Sequence, residues 1–165
     1  MTRPDWNNYF LGLAFLISSR SRDAETQHGC VIVDDNNIII GTGYNSHIKG
    51  INDALLPNTR PEKYRTMFHA EVNSLLNCSK PPRDCKFATA YITGNPCTQC
   101  LQSLLQAGIK KLVIAKRQGT KLESAETEKD FNFFIEQTKV IVEYIDVNLD
   151  WAIDHLTKIN YSAKS

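Results

Sequence analysis

Two short polar islands constrain this chain more than anything else in it: "HAE" at 69–71 and "PCTQC" at 96–100. Each stands where the pattern predicts a helix to begin, in "HAEVNSLLNC" and "CTQCLQSLLQAG", so a workable fold must let two helix starts face each other. Cys97 and Cys100, separated by two residues at a helix start, can both point into one space. The first turn of a helix offers unpaired backbone N–H groups and the positive end of the helix dipole. Both favour thiolates, the form of cysteine that binds metal. His69, at the other helix start, completes three ligands. Three protein ligands leave the fourth tetrahedral position open, which marks a catalytic rather than a structural zinc site. Glu71 can lie over that open position without binding the metal, placed to carry a proton between water and a substrate.

Either island alone is common. A lone His-x-Glu is usually helix surface, and a lone Cys-x-x-Cys equally fits a redox dithiol or half of a structural zinc site. A redox pair would follow a strand in a thioredoxin-like order, which the opening helix and hairpin do not match. A closed zinc site needs a fourth ligand, for which Cys78 or Cys85 stands in the sequence.

The rest of the chain supplies a frame. "TRPDWNNYFLGLAFLISSR" sets Trp6, Phe10, Leu13, Ala14 and Ile17 on one helical stripe, with Thr2, Pro4 and Asp5 as its start. "GCVIVDDNNIIIGTGY" reads as a hairpin turning at "DDNN". Residues Asn45 to Thr66 form a long polar loop of the kind that carries function. Strands at "KFATAYIT", "KKLVIAK" and "KVIVEYI" alternate with helices at "CTQCLQSLLQAG", "ETEKDFNFFIEQ" and "LDWAIDHLTKIN", the first of these ending at Gly108. The order αββαβαβαβα predicts an α/β protein with a five-stranded sheet of mixed direction and helices on its faces. At 165 residues the expectation is one domain spanning 1–165. The formal net charge of +1 argues against a nucleic-acid or membrane partner held by charge. No apolar run approaches a membrane span, and "MTRPDWNNYF" lacks the pattern of a signal peptide. Five cysteines, an odd number, fit a reducing compartment, so the expected location is cytoplasmic.

Taken together, His-x-Glu and Pro-Cys-x-x-Cys make the signature of zinc nucleobase deaminases. The chain resembles the cytidine-deaminase-like superfamily, and within it most resembles the deoxycytidylate (dCMP) deaminases. The resemblance runs from about Trp6 to Lys116 and rests on "DWNNYF", "RSRDAETQHG", "GTGYN", "HAEVN" and "PCTQC…QAGIKKLV". It implies a three-layer α/β/α domain and hydrolysis of dCMP to dUMP and ammonia, feeding thymidylate nucleotide synthesis. It implies one Zn²⁺ per chain on His69, Cys97 and Cys100, with Glu71 moving a proton from water to N3 of the ring and then to the leaving amine. By the same resemblance the Ala70 backbone N–H holds the pyrimidine carbonyl and Asn45 binds the sugar hydroxyl, the lesser alternative being that Asn45 is a turn residue closing the second strand. Ser21, Arg22 and Thr26 in "SRSRDAET" could receive the phosphate, since arginine suits phosphate by paired hydrogen bonds. An ordinary solvated helix end reads the same. The loop from Tyr44 to Lys63 resembles a regulatory site activated by dCTP and inhibited by dTTP, with Gly43, Tyr44, Asn52 and Asp53 as candidates, although a plain surface loop reads the same. A homo-oligomer, commonly a hexamer, is implied too.

Some residues depart from that pattern. His28 and Cys30 stand where relatives carry valine and alanine; Cys30 reads as a small core residue, and His28 as a satisfied core histidine in preference to a nearby polar contact. "TGNPC" replaces a more apolar approach to the Pro-Cys pair. The long loop holds no cysteine and one histidine, His47, so a second, structural zinc is not expected. Two other functions compete: deamination of a base in RNA, against which the neutral charge stands, and a non-catalytic zinc module, which has no use for Glu71. Deamination of dCTP is a further variant of the free-nucleotide reading.

Overall fold

The computed structural model describes residues 3–116 and 124–158. Helix α1 spans Trp6–Ser18, β1 Gly29–Val33, β2 Ile39–Tyr44, α2 Ala70–Leu76 and β3 Thr89–Ile92. They are followed by α3 Thr98–Gln106, β4 Lys111–Ala115, α4 Ala125–Thr138, β5 Ile141–Ile145 and α5 Asp150–Lys158. The strands form one mixed sheet in the order β2-β1-β3-β4-β5. β1 runs antiparallel to β2 and to β3, whereas β3, β4 and β5 are parallel. The parallel half is the consequence of helical crossovers: α3 joins β3 to β4 and α4 joins β4 to β5. The hairpin turns where expected. The Asp34 carboxylate accepts from the N–H groups of Asn36 and Ile38, and Asn37 takes φ 61°.

β1 is buried along its whole length because both faces of the sheet are covered. Its side chains alternate between two cores. Cys30 and Ile32 join Ile92, Leu101, Leu104, Ile114 and Phe131 under α2, α3 and α4. Val31 and Val33 join Phe10, Leu11, Ala14, Tyr91 and Val113 under α1. α5 lies beside α1, where Trp151 and Tyr9 bring their ring centroids to 5.9 Å. The molecule is therefore an α/β/α sandwich, as the order of elements implied.

α1 departs from expectation in two details. Asp5 caps the helix, its side chain accepting from the N–H of Asn8, so the start falls later than a Thr2 cap would place it; Thr2 lies outside the described residues. The face against the sheet carries Phe10, Leu11, Ala14 and Ser18, while Trp6 is 46% exposed and stacks on Phe10. The buried stripe is rotated toward Leu11 relative to the expected one.

The contact that matters for the site is the approach of α2 to β2. A Cβ on Gly43 would lie 2.3 Å from the Ala70 carbonyl oxygen and 2.3 Å from the Ser74 amide nitrogen. Both are backbone atoms, so only the absence of a side chain lets the helix lie this close. Gly43→Ala is expected to push α2 off the sheet, destabilising the protein by about 1–3 kcal/mol or more. The change is read as a lower urea midpoint, with weakened zinc binding because His69 leads into that helix.

Candidate active site

His69 precedes Ala70 in extended backbone and makes no capping bond with its side chain. Its imidazole turns instead toward α3. Cys97 is the N-cap of α3, and its Sγ accepts from the Cys100 N–H at 3.4 Å. Nδ1 of His69 lies 3.5 Å from Cys97 Sγ and 3.3 Å from Cys100 Sγ. All three ligand atoms lie within 4.8 Å of one another. A tetrahedral zinc with one nitrogen and two sulfur ligands sets N···S edges of about 3.5 Å. The donor set and its spacing therefore fit zinc. Among the described residues this is the group of donors suited to a metal; Cys78 donates instead to the Ser74 carbonyl, and Cys85 lies outside the group.

Electrostatics agree with the geometry. The facing Cys100 thiol, despite burial, pulls the Cys97 thiol down to about 4, with His69 assisting. Cys100 is pushed up by its bond to Cys97 and by burial, so the metal-free pair readily gives up one proton and resists giving up both. Glu71 is 5% exposed, and burial raises its carboxyl above the usual range against the pull of its own backbone N–H and of His69. A carboxyl held so can both take and return a proton.

His69, Glu71 and Cys97 form one wall of a cleft of about 640 Å³ measured out to solvent. Asn45, Thr26 and Ala70 line it, together with Asp23, His28, Arg60, Lys63, Tyr64, Met67 and Asn95. The Asn45 amide is largely committed. Its nitrogen donates to Asp23 Oδ2 and the Thr26 carbonyl at 2.9 Å each, and its oxygen accepts from the His28 N–H at 2.8 Å. One lone pair on that oxygen remains to accept a ligand hydroxyl. Ala70 opens α2, so its N–H has no partner within the helix. His28 is not in the core: it borders the cleft with Nδ1 3.4 Å from Thr93 Oγ1. Cys30 is fully buried and accepts from the Ser74 hydroxyl, as a small core residue should. Asn95 Oδ1 is buried without a hydrogen-bond partner at the cleft wall.

Ser21 and Arg22 are placed differently. Ser21 is buried and donates to the Asn45 carbonyl at 2.8 Å. Arg22 is exposed and borders a second cavity, with Arg20, Tyr44, His47, Lys49 and Asp53. Of the other loop residues singled out from sequence, Asn52 caps a 3₁₀ turn at Asp53–Leu55 by accepting from the Ala54 N–H, and Gly43 packs under α2.

Sequence reasoning missed the cations of the cleft. Lys63, 3% exposed, donates to both Asp23 oxygens at 2.6 and 2.7 Å and lies 3.1 Å from Glu25. Asp23 also accepts from the N–H groups of Glu25 and Thr26. Burial alone would raise the Asp23 carboxyl; Lys63 and these backbone bonds outweigh it and hold it below its usual range. The pair pins the end of the long loop to the segment after α1. Residues so far apart in sequence leave no local signal that they will meet.

Comparison with known proteins follows the same lines. Residues 4–116 match the family model described as the cytidine and deoxycytidylate deaminase zinc-binding region. The chain is 38% identical over 115 residues to deoxycytidylate deaminase of Mus musculus, covering 66% of this chain and 64% of the mouse protein. It thus spans less than two thirds of that relative's length. Its fold is similar to the crystal structure of the dCMP deaminase of cyanophage S-TIM5 in apo form, with a TM-score of 0.64 and 23% identity over 87% of this chain and 100% of that one. The same phage protein has been solved in complex with dCMP and dUMP, with a TM-score of 0.63 and 22% identity over 88% of this chain and 100% of that one.

Lys63→Met is expected to cost about 3–5 kcal/mol, because it leaves the Asp23 charge buried and unpaired. Asp23→Asn with Lys63→Met should cost less than the single change. Since the Asp23 carboxyl is depressed in the folded state, its contribution is present above the unfolded value of about 3.9 and fades as pH falls through the folded value. Urea unfolding below about pH 4 should show that loss in the native sequence and not in the double variant.

Proposed function

The chain belongs to the cytidine and deoxycytidylate deaminase family, and on that basis we propose that it hydrolyses the amino group of dCMP, giving dUMP and ammonia. The observation that carries this reading is the His69–Cys97–Cys100 cluster with the buried carboxyl of Glu71 in the same cleft. His69, Cys97 and Cys100 would hold one zinc ion per chain, and the ion, when bound, supplies a Lewis acid that lets water attack near neutral pH.

The chain's own residues do the rest. Asn45 accepts the sugar hydroxyl through its remaining lone pair, and the Ala70 N–H holds the pyrimidine carbonyl. Glu71 takes a proton from the attacking water and delivers it to N3 as C4 becomes tetrahedral. It then carries the second proton to the amino group, which departs as ammonia. The depth of Glu71 keeps bulk water from competing for either proton. dUMP made this way would feed thymidylate synthesis. The cavity bordered by Arg20, Arg22, Tyr44, His47, Lys49 and Asp53 supports the further reading that dCTP activates and dTTP inhibits, because its cations suit a polyphosphate. We place the enzyme in the cytoplasm as a homo-oligomer, commonly a hexamer in this family. Among the described residues no helix is long and apolar enough to cross a membrane.

The test is ammonia release from dCMP by zinc-loaded protein, with deoxycytidine, dCTP and an RNA hairpin alongside. Turnover of the hairpin in preference to dCMP, or of nothing, overturns the proposal. Glu71→Gln should retain zinc and lose turnover by about 10²–10⁴-fold or more. Cys97→Ala should lose the metal by elemental analysis; full occupancy there would remove Cys97 from the ligand set.

A further inference from the structure

A nucleoside monophosphate carries its charge at the end opposite the base, so its site needs a cation set away from the metal. Two residues with permanently cationic side chains line the cleft among the described residues, Lys63 and Arg60. Lys63 is spent: it is buried, and its ammonium is held by both Asp23 oxygens and by Glu25. Arg60 differs. Its side chain is 52% exposed. Its guanidinium donates to the Thr26 hydroxyl at 3.0 Å, and its Nε lies 3.9 Å from Glu25 Oε2, beyond hydrogen-bond reach. Most of its five donors are therefore left for a ligand. Its backbone is nevertheless fixed, because the Arg60 N–H donates to Glu25 Oε2 at 2.7 Å.

The neighbours run in the order a nucleotide requires. Glu71 and the three metal-binding residues serve the base, and Asn45 serves the sugar. The Asn45 amide donates to the Thr26 carbonyl, and the Thr26 hydroxyl accepts from Arg60. Because that hydroxyl accepts from Arg60, its own proton can be given to another oxygen. Arg22, the other arginine considered for this role, borders the second cavity instead.

We propose that Arg60, with the Thr26 hydroxyl beside it, grips the 5′-phosphate and so makes this cleft select a nucleotide over a nucleoside. This rests on the deaminase reading above and names the residue that sets its substrate class. Glu25 anchors the backbone of Arg60, and Lys63 offsets the carboxylates of Asp23 and Glu25. The guanidinium is thus presented on a firm loop rather than on a wandering side chain.

The experiment compares Arg60→Ala, Arg60→Lys and Arg22→Ala as zinc-loaded proteins, reading kcat/KM for dCMP and for deoxycytidine. A charge-assisted contact of this kind gives a factor of about 10–100. Arg60→Ala should lose that factor more for dCMP than for deoxycytidine, Arg60→Lys should lose part of it, and Arg22→Ala should show no such difference. The same comparison is made by calorimetric binding of dCMP and deoxycytidine in a Glu71→Gln background, where no turnover is needed. Equal losses on both ligands, or a dCMP-specific loss in Arg22→Ala instead, overturn the proposal while leaving the deaminase reading intact. A dCMP-specific loss of binding with no ammonia release by the unaltered protein would sustain Arg60 and sink the deaminase reading. Failure of dCMP to bind at all sinks both.

Discussion

Everything chemical in this molecule depends on how closely α2 lies on β2. Gly41 and Gly43 face the helix backbone at distances no side chain would permit. The result is that α2 lies close on the sheet, and His69 at its start meets Cys97 and Cys100 at the start of α3. Two helix starts, each with unpaired N–H groups and a positive dipole end, then share one small space. A site built from one imidazole and two thiols needs that meeting, because neither helix alone carries enough ligands. Raising α2 by the width of a methyl group would separate His69 from the cysteines.

The second constraint is the buried ion pair of Lys63 and Asp23. Buried pairs are costly to make and rarely add stability for their own sake. Here the pair has geometric consequences. Asp23 holds the Asn45 amide by one oxygen and Lys63 by both. The same contact that closes the long loop therefore orients a residue facing the cleft. The loop is also tied by the bonds of Arg60 to Glu25 and Thr26, by an isolated bridge between Ser46 and Phe68, and by the bond between His47 and the Thr66 carbonyl. Its shape comes from polar contacts with the segment after α1 more than from secondary structure of its own.

The fold was legible in the sequence where the pattern is local. Short apolar, β-branched runs mark β1 to β5, Asp34 and Asn37 mark the hairpin turn, and Gly108, at φ 98°, marks the end of α3. The cluster of His69, Cys97 and Cys100 was legible too, since Cys-x-x-Cys at a helix start and His-x-Glu at another carry their chemistry in their spacing. Arg22 and Ser21 show where such reading stops. They sit beside Thr26 in the chain, yet Ser21 turns inward to the Asn45 carbonyl and Arg22 outward to a different cavity. Direction out of an irregular segment has no period to read.

The sequence by itself determined the elements, their order, and the His69–Cys97–Cys100 donor cluster with its neighbouring carboxylate, because each of these follows from residue type and short spacing. The tertiary structure alone decided which cations face the cleft and which are consumed on the way. Lys63 is neutralised by a carboxylate 40 residues earlier, and Arg60 reaches a hydroxyl 34 residues earlier. Contacts across such distances are set by how the loops pack on the finished sheet, and no local propensity encodes them.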